Sequence, residues 1–256
     1  MDESSGSGFD PLGAKAFAEA SKVVTTGVVK GTGAFLSRIC LPVAEEFGLL
    51  LQDKVRHWRA VNASNVLAKA EALVEKRPNA SNLHVHPRML GSILEEAAWA
   101  DQDTMQTSWA GLLATACSED GADQSNLIFI KLLAQLTPAE AAIITHSCEN
   151  AKVQFSENGF LTVLEELRIN ATHLMALTGH ADIHRLDLEL DHLRELGLLS
   201  DGGFGSYIGA PKDAAITPSP LCLQFYARMQ GFVGSAPDYY GVSPNASLAV
   251  SSPATP

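Results

Sequence analysis

The chain has 256 residues, 46% of them hydrophobic and 18% charged, a balance ordinary for a folded soluble protein of one large domain or two small ones. Its formal net charge of −11 is uneven: residues 1–77 carry ten Lys/Arg against nine Asp/Glu, and residues 78–256 carry eight against twenty. The acidic part repels phosphate backbones, which argues against a nucleic-acid partner there and leaves any anionic surface to the N-terminal third.

Residues 1–11 read as a disordered lead-in. From Leu12 to Leu41 a long helical pattern follows, with Phe17, Ala20, Val24, Val28, Gly31, Phe35 and Ile39 on one face and Lys15, Glu19, Lys22 and Lys30 opposite. Gly27-x-x-x-Gly31 and Gly33 each cost about 1 kcal/mol of helix propensity against alanine. Either this apolar face covers the rest of the domain, or Phe17, Val24, Gly27, Val28, Gly31 and Phe35 form a surface for a membrane or a partner helix. A simple membrane span is not expected, because Lys30 and Arg38 interrupt the run before it reaches about 18 uncharged residues.

Pro42 restarts the chain. A second helix carries Val43, Phe47, Leu50, Leu51, Val55 and Trp58 and ends in the basic stretch Lys54 to Arg59. Cations suit a helix C-terminus, where they complement the macrodipole; a phosphate or lipid headgroup is the alternative contact. A third, shorter helix carries Val66, Leu67, Ala70, Leu73 and Val74 before Pro78. His84 and His86 alternate as zinc ligands can, yet zinc needs three or four ligands and no Cys/His/Asp cluster at ligand spacing follows, so no metal site is expected. After Pro87 a helix turns Met89, Leu90, Ile93, Leu94 and Ala97 inward and leaves Glu95 and Glu96 to water.

The stretch Asp101 to Asn150 reads as three short helices with clear punctuation. Asp103 is a good N-cap for a helix carrying Met105, Trp109, Leu112, Leu113 and Ala116, and Ser118 to Gly121 ends it. A second apolar run, Leu127 to Leu136, stops at Thr137-Pro138-Ala139-Glu140, a capping box with proline at the first helical position. Phe160, Leu161, Leu164 and Leu167 follow after a thinner stretch. Asp182 then caps a helix carrying Ile183, Leu186, Leu190, Leu193 and Leu196, which Gly197 ends. Leu198 to Ser200 reads as a strand, Asp201 to Gly205 as a glycine-rich loop, and Ala214 to Ile216 as a second strand. Thr217-Pro218 leads to a helix with Leu221, Leu223, Phe225, Tyr226 and Met229. From Gly234 the Pro/Ser/Ala-rich sequence reads as a disordered tail.

Trp109-Ala110-x-Leu112-Leu113-Ala114, Lys131-Leu132-Leu133-x-Gln135-Leu136-Thr137-Pro138-x-Glu140-Ala141 and Leu193-x-x-Leu196-Gly197-Leu198 resemble the Abi-alpha family. These are packing and capping positions, so the resemblance bears on fold more than on activity. It implies a bacterial protein associated with abortive infection of phage.

Two chemical questions remain. A helix–strand–strand–helix order ending in Leu-Gly-Leu-Leu reads as a winged-helix unit, but its candidate recognition helix carries Asp182, Asp187, Glu189, Asp191 and Glu195 against Arg185 and Arg194. That face meets phosphates badly, so the unit reads as a protein-binding module. None of the eight histidines sits in a catalytic motif, Gly202 to Gly205 lacks a following Gly-Lys-Ser/Thr, and no enzyme activity or cofactor is expected. Cys40, Cys117, Cys148 and Cys222 are scattered among apolar residues and read as reduced, buried thiols of a cytosolic protein, and no basic signal sequence opens the chain.

The expectation is therefore a mainly α chain: a lead-in over 1–11, a multi-helix region over 12–150, a winged-helix-like α+β unit over 155–231 and a disordered tail over 232–256. Its function is a non-enzymatic defence role through protein contacts, with peripheral membrane contact through residues 12–60 and self-association left open. The alternative is a regulatory protein-binding module.

Overall fold

The computed structural model describes residues 35, 38, 39, 54–156, 158–204 and 213–242. Among these residues the chain is mainly α-helical with two small antiparallel sheets, and it divides into two compact units, one up to Ile130 and one from Lys131. No helix among the described residues is long and apolar enough to cross a membrane.

The first unit is organised around a helix that is apolar on nearly every side. Helix α1 spans Lys54–Val74, α2 Pro87–Ala97 and α3 Asp103–Ala116; α4, Leu127–Leu133, lies across the division. Met105, Trp109, Leu112, Leu113 and Ala116 of α3 are all buried, as the periodicity predicts. Alanines at 63, 70, 110 and 114 are buried too, and their small side chains let helices approach closely. Met89, Leu90, Ile93, Leu94 and Ala97 make the buried face of α2. Phe35 and Ile39 are helical and buried as well, and the Val85 amide donates to the Ile39 carbonyl at 3.3 Å.

Three local expectations are corrected here. The basic stretch ending at Arg59 is not a helix C-terminus, because α1 continues unbroken to Val74, with no glycine or proline to stop it. Arg59 instead lies over the Trp99 ring, 4.4 Å from its centroid. Asp103 is the first residue of α3 rather than its cap: Gln102 takes that place, and the Asp103 carboxylate accepts from Lys69 Nζ at 2.7 Å. Gly121 does take a positive φ of 62°, but α3 has already ended at Ala116. There Arg77 Nη1 donates to the carbonyls of Ala114 and Cys117 at 2.9 and 3.0 Å, and Ser118 pairs with His84. Glycine at 121 serves a close approach, since a Cβ would meet His84 Cβ at 3.0 Å.

The second unit begins with α5, Pro138–Asn150, and a hairpin of β1, Val153–Phe155, and β2, Leu161–Val163. Then come β3, Arg168–Asn170, α6, Ala171–Thr178, and α7, Ile183–Glu195. Next are β4, Leu199–Phe204, β5, Asp213–Pro218, α8, Pro220–Met229, and the short α9, Ala236–Tyr239. The second sheet has the order β3-β5-β4, antiparallel throughout, with Ile169 opposite Ala214 and Gly202 opposite Ile216. Side-chain caps start most of its helices: Thr137 for α5, Asn170 for α6, Asp182 for α7 and Ser219 for α8.

Asp201 to Phe204 belongs to β4 and is not a loop. Gly202 suits the strand because a Cβ there would lie 3.1 Å from the Leu190 carbonyl oxygen. Nor is residue 232 the start of a structureless tail: Ser235 forms a capping box with Asp238 and opens α9, and Tyr239 packs edge-on against Tyr226 and Phe232. Residues 243–256, and Tyr207 and Ile208 in the stretch after β4, lie outside the described residues. Helix α5, read from sequence as the end of an N-terminal region, packs with α6, α8 and β5 of the second unit.

Candidate functional site

Helix α7 carries the densest polar chemistry of the described chain. The Asp182 carboxylate accepts the His184 amide at 3.0 Å and opens the helix. Gly197, at φ 70°, closes it. The Leu198 amide reaches the Leu193 carbonyl and the Gly197 amide the Arg194 carbonyl, the paired bonds of a Schellman turn. Leu186, Leu190 and Leu193 form a fully buried stripe. Glu189 stands in that stripe, three residues after Leu186 and four before Leu193, and is buried with it.

A carboxylate held away from water is costly unless its oxygens are hydrogen-bonded and its charge is met. Glu189 Oε2 accepts from Thr137 Oγ1 at 2.6 Å, and Oε1 accepts from Arg185 Nε at 3.3 Å with His180 Nε2 at 3.7 Å. A second buried carboxylate lies beside it. Glu140 Oε2 accepts the Thr137 amide at 2.7 Å, completing the capping box, and Oε1 meets His192 Nδ1 at 2.6 Å. The Glu140 and Glu189 side chains are only 2% and 6% exposed.

Thr137 is the hinge pin of this arrangement. Its hydroxyl accepts the Glu140 amide at 3.1 Å and donates to Glu189, so one residue caps α5 and ties α5 to α7. An ionised carboxylate only accepts, so in its bond to a Glu140 carboxylate His192 Nδ1 is the donor. A carboxylate-oriented imidazole is the positioning half of an acid–base pair. Among the described residues its hydrogen-bonded side chain is Glu140, and the Thr137 hydroxyl is directed to Glu189. What the geometry accomplishes is to fix α7 against the N-terminal turn of α5.

The opposite face of α7 is unpartnered by the core. His184, Asp187, Leu188, Asp191 and Glu195 are exposed, with Leu188 69% exposed at the centre of an acidic surround. Arg194 is spent within the unit: it pairs with Asp191 at 2.7 Å and donates to the Gly202 carbonyl at 3.2 Å.

The residues singled out from the sequence are distributed as follows. Trp109, Leu112 and Leu113 lie in the core of the first unit, while Leu136, Thr137, Pro138 and Glu140 make the start of α5. Of the proposed membrane or partner face, Phe17, Val24, Gly27, Val28 and Gly31 lie outside the described residues, and Phe35 is buried. His84 pairs its backbone with Ser118, and His86 Nδ1 accepts the Arg88 amide at 3.2 Å; no cluster of three metal-ligating side chains occurs among the described residues. Sequence reasoning saw Thr137 and Glu140 as a cap alone, counted Glu189 and Arg185 only as charges on a candidate recognition helix, and did not place His180 or His192 beside a buried glutamate. The one legible signal was a glutamate at an apolar-stripe position of α7.

The comparisons with known proteins bear on this geometry. Residues 61–215, which include both the α3 core and the Thr137–His192 network, match the sequence model of the family described as abortive infection alpha. No curated protein and no solved structure matches the chain.

Proposed function

The chain belongs to the abortive infection alpha family, and on that premise we propose that it is a non-enzymatic, cytoplasmic phage-defence protein that acts by binding another protein through α7. The observation that carries this reading is the outward face of that helix: Leu188 exposed among Asp187, Asp191 and Glu195, on a helix held from within by the hydrogen bonds of the buried Glu140 and Glu189. A preformed helical face spends little entropy on ordering when it docks, and its acidic surround suits a partner with a basic rim around an apolar pocket.

We read the second unit as winged-helix-like. The order α5, β1–β2 hairpin, β3, α6, α7, β4, β5 with the sheet β3-β5-β4 supports that reading, and it makes α7 the recognition helix. The same acidity that suits a basic protein disfavours nucleic acid, since affinity for phosphates comes from cations that this face lacks. Membrane contact through residues 12–60 is the weaker reading, because Phe35, at one end of the proposed face, is buried in the protein.

The test is phage plating on cells that express the chain. Leu188→Lys with Asp191→Lys should restore plaque formation while leaving the melting temperature within a few degrees of the wild type. Full protection by a folded double variant would sink the proposal.

A further inference from the structure

Cys148 of α5 and Cys222 of α8 lie with their sulfurs 3.6 Å apart, and both are buried free thiols. That is contact distance, longer than the roughly 2.05 Å of a disulfide. The capping turn of α8 fixes one partner, since the Cys222 amide donates to Ser219 Oγ at 3.1 Å. The pair is poised for a bond that nothing in the proposed role of α7 uses.

The last described piece of the chain lies beside these thiols. Tyr240 lies beside Cys148 and donates its hydroxyl to the Leu223 carbonyl at 3.4 Å. Tyr239 packs edge-on against Tyr240 at 5.0 Å, Phe232 at 5.4 Å and Tyr226 at 6.0 Å. Tyr239 and Tyr240 are carried by the four-residue α9 and its C-cap, which the Ser235 capping box opens. A short segment held by a few ring contacts opens at less cost than the helices beneath it. While it is closed, the hydrogen bond with Cys148 and burial hold the Cys222 thiol well above its ordinary range, so the sulfur stays protonated and inert.

We propose that Cys148 and Cys222 form a shielded oxidation site, which a peroxide converts to an intrachain disulfide when the segment Ser235 to Val242 lifts. The steps balance. Cys148, the thiol beside Tyr240, loses its proton to solvent and attacks a peroxide oxygen; the O–O bond breaks, and a sulfenic acid and hydroxide result. The Cys222 sulfur, deprotonated by that hydroxide, then displaces hydroxide from the Cys148 sulfur, which takes up the solvent proton as water. Two thiols and one hydrogen peroxide give one disulfide and two waters, with both electrons coming from the sulfurs. The product staples the end of α5 to the start of α8, and a thiol reductant reverses it.

The experiment treats the full chain with hydrogen peroxide and maps its peptides without reduction. A linked Cys148–Cys222 peptide that disappears with dithiothreitol is expected, and Cys148→Ser should abolish it. Tyr240→Ala should speed its formation about tenfold by weakening the cover. Tyr240→Phe, which keeps the ring and preserves the fold, should speed it less. Recovery of both cysteines as separate thiols or sulfonic acids in the wild type and both variants would overturn the site. Formation at the wild-type rate in both tyrosine variants would overturn the role of the cover.

Discussion

The two units solve the problem of buried polarity in opposite ways. In the first, the buried polar side chains around α3 are neutral. Asn62 donates to the Ala98 carbonyl, Gln106 to the Ala100 carbonyl, and Asn126 to Thr115 and the Leu112 carbonyl. In the second, two carboxylates, Glu140 and Glu189, are buried and tied to histidines and an arginine. A hydrogen-bonded neutral amide costs less to bury than a carboxylate, and a buried charge tolerates only the geometry that satisfies it. The first unit therefore rests on apolar packing, and the second adds a polar lock that specifies where one helix sits.

The largest effect expected from breaking that contrast lies in the apolar unit. Trp109→Ala removes a side chain that is 2% exposed and should cost about 3–5 kcal/mol, read as a fall in the denaturation midpoint. In the polar unit the outcome should depend on what replaces the charge. Glu189→Ala leaves Thr137 and His180 facing a void and should cost about 2–4 kcal/mol, discounted from a fully buried pair because Arg185 is half exposed. Glu189→Leu with Thr137→Val, which removes the polar group on both sides, should cost less than Glu189→Ala. If the two variants are equally damaged, the carboxylate is not a lock.

The smallest effect concerns pH. Burial and the neighbouring His173 lower the His146 pKa below 6.5, its ring lying 5.2 Å from the His173 ring. The unfolded chain thus binds more protons than the folded one below that value, so stability should fall as pH drops through 6.5 and level off below the folded pKa. His146→Gln should flatten that part of the profile, measured by urea unfolding between pH 7.5 and about 5. An unchanged slope would assign the acid sensitivity elsewhere.

The first unit was far more legible in the sequence than the second. Trp109, Leu112 and Leu113, or Met89 and Ile93, recur at helical spacing, and local periodicity is what a linear reading detects. Where that reading failed, a tertiary partner had decided the local outcome. Arg77 took over the carbonyls at the end of α3 that Gly121 was expected to serve, and Trp99 gave Arg59 a place in mid-helix. Thr137 and Glu140 were visible as a cap because they lie three residues apart. Their bonds to Glu189 and His192 span 52 residues each, and no local spacing announces such a pair.

The buried network is what holds α7 as a preformed contact face in the proposed role. Native-state hydrogen exchange on Thr137→Val tests that most directly, by comparing α7 amides with α3 amides at conditions of partial opening. Selective loss of protection along α7, with α3 unchanged, is the predicted result. Equal loss in both helices, or none in α7, would mean that the network does not position the helix and that its outward face is no prepared surface.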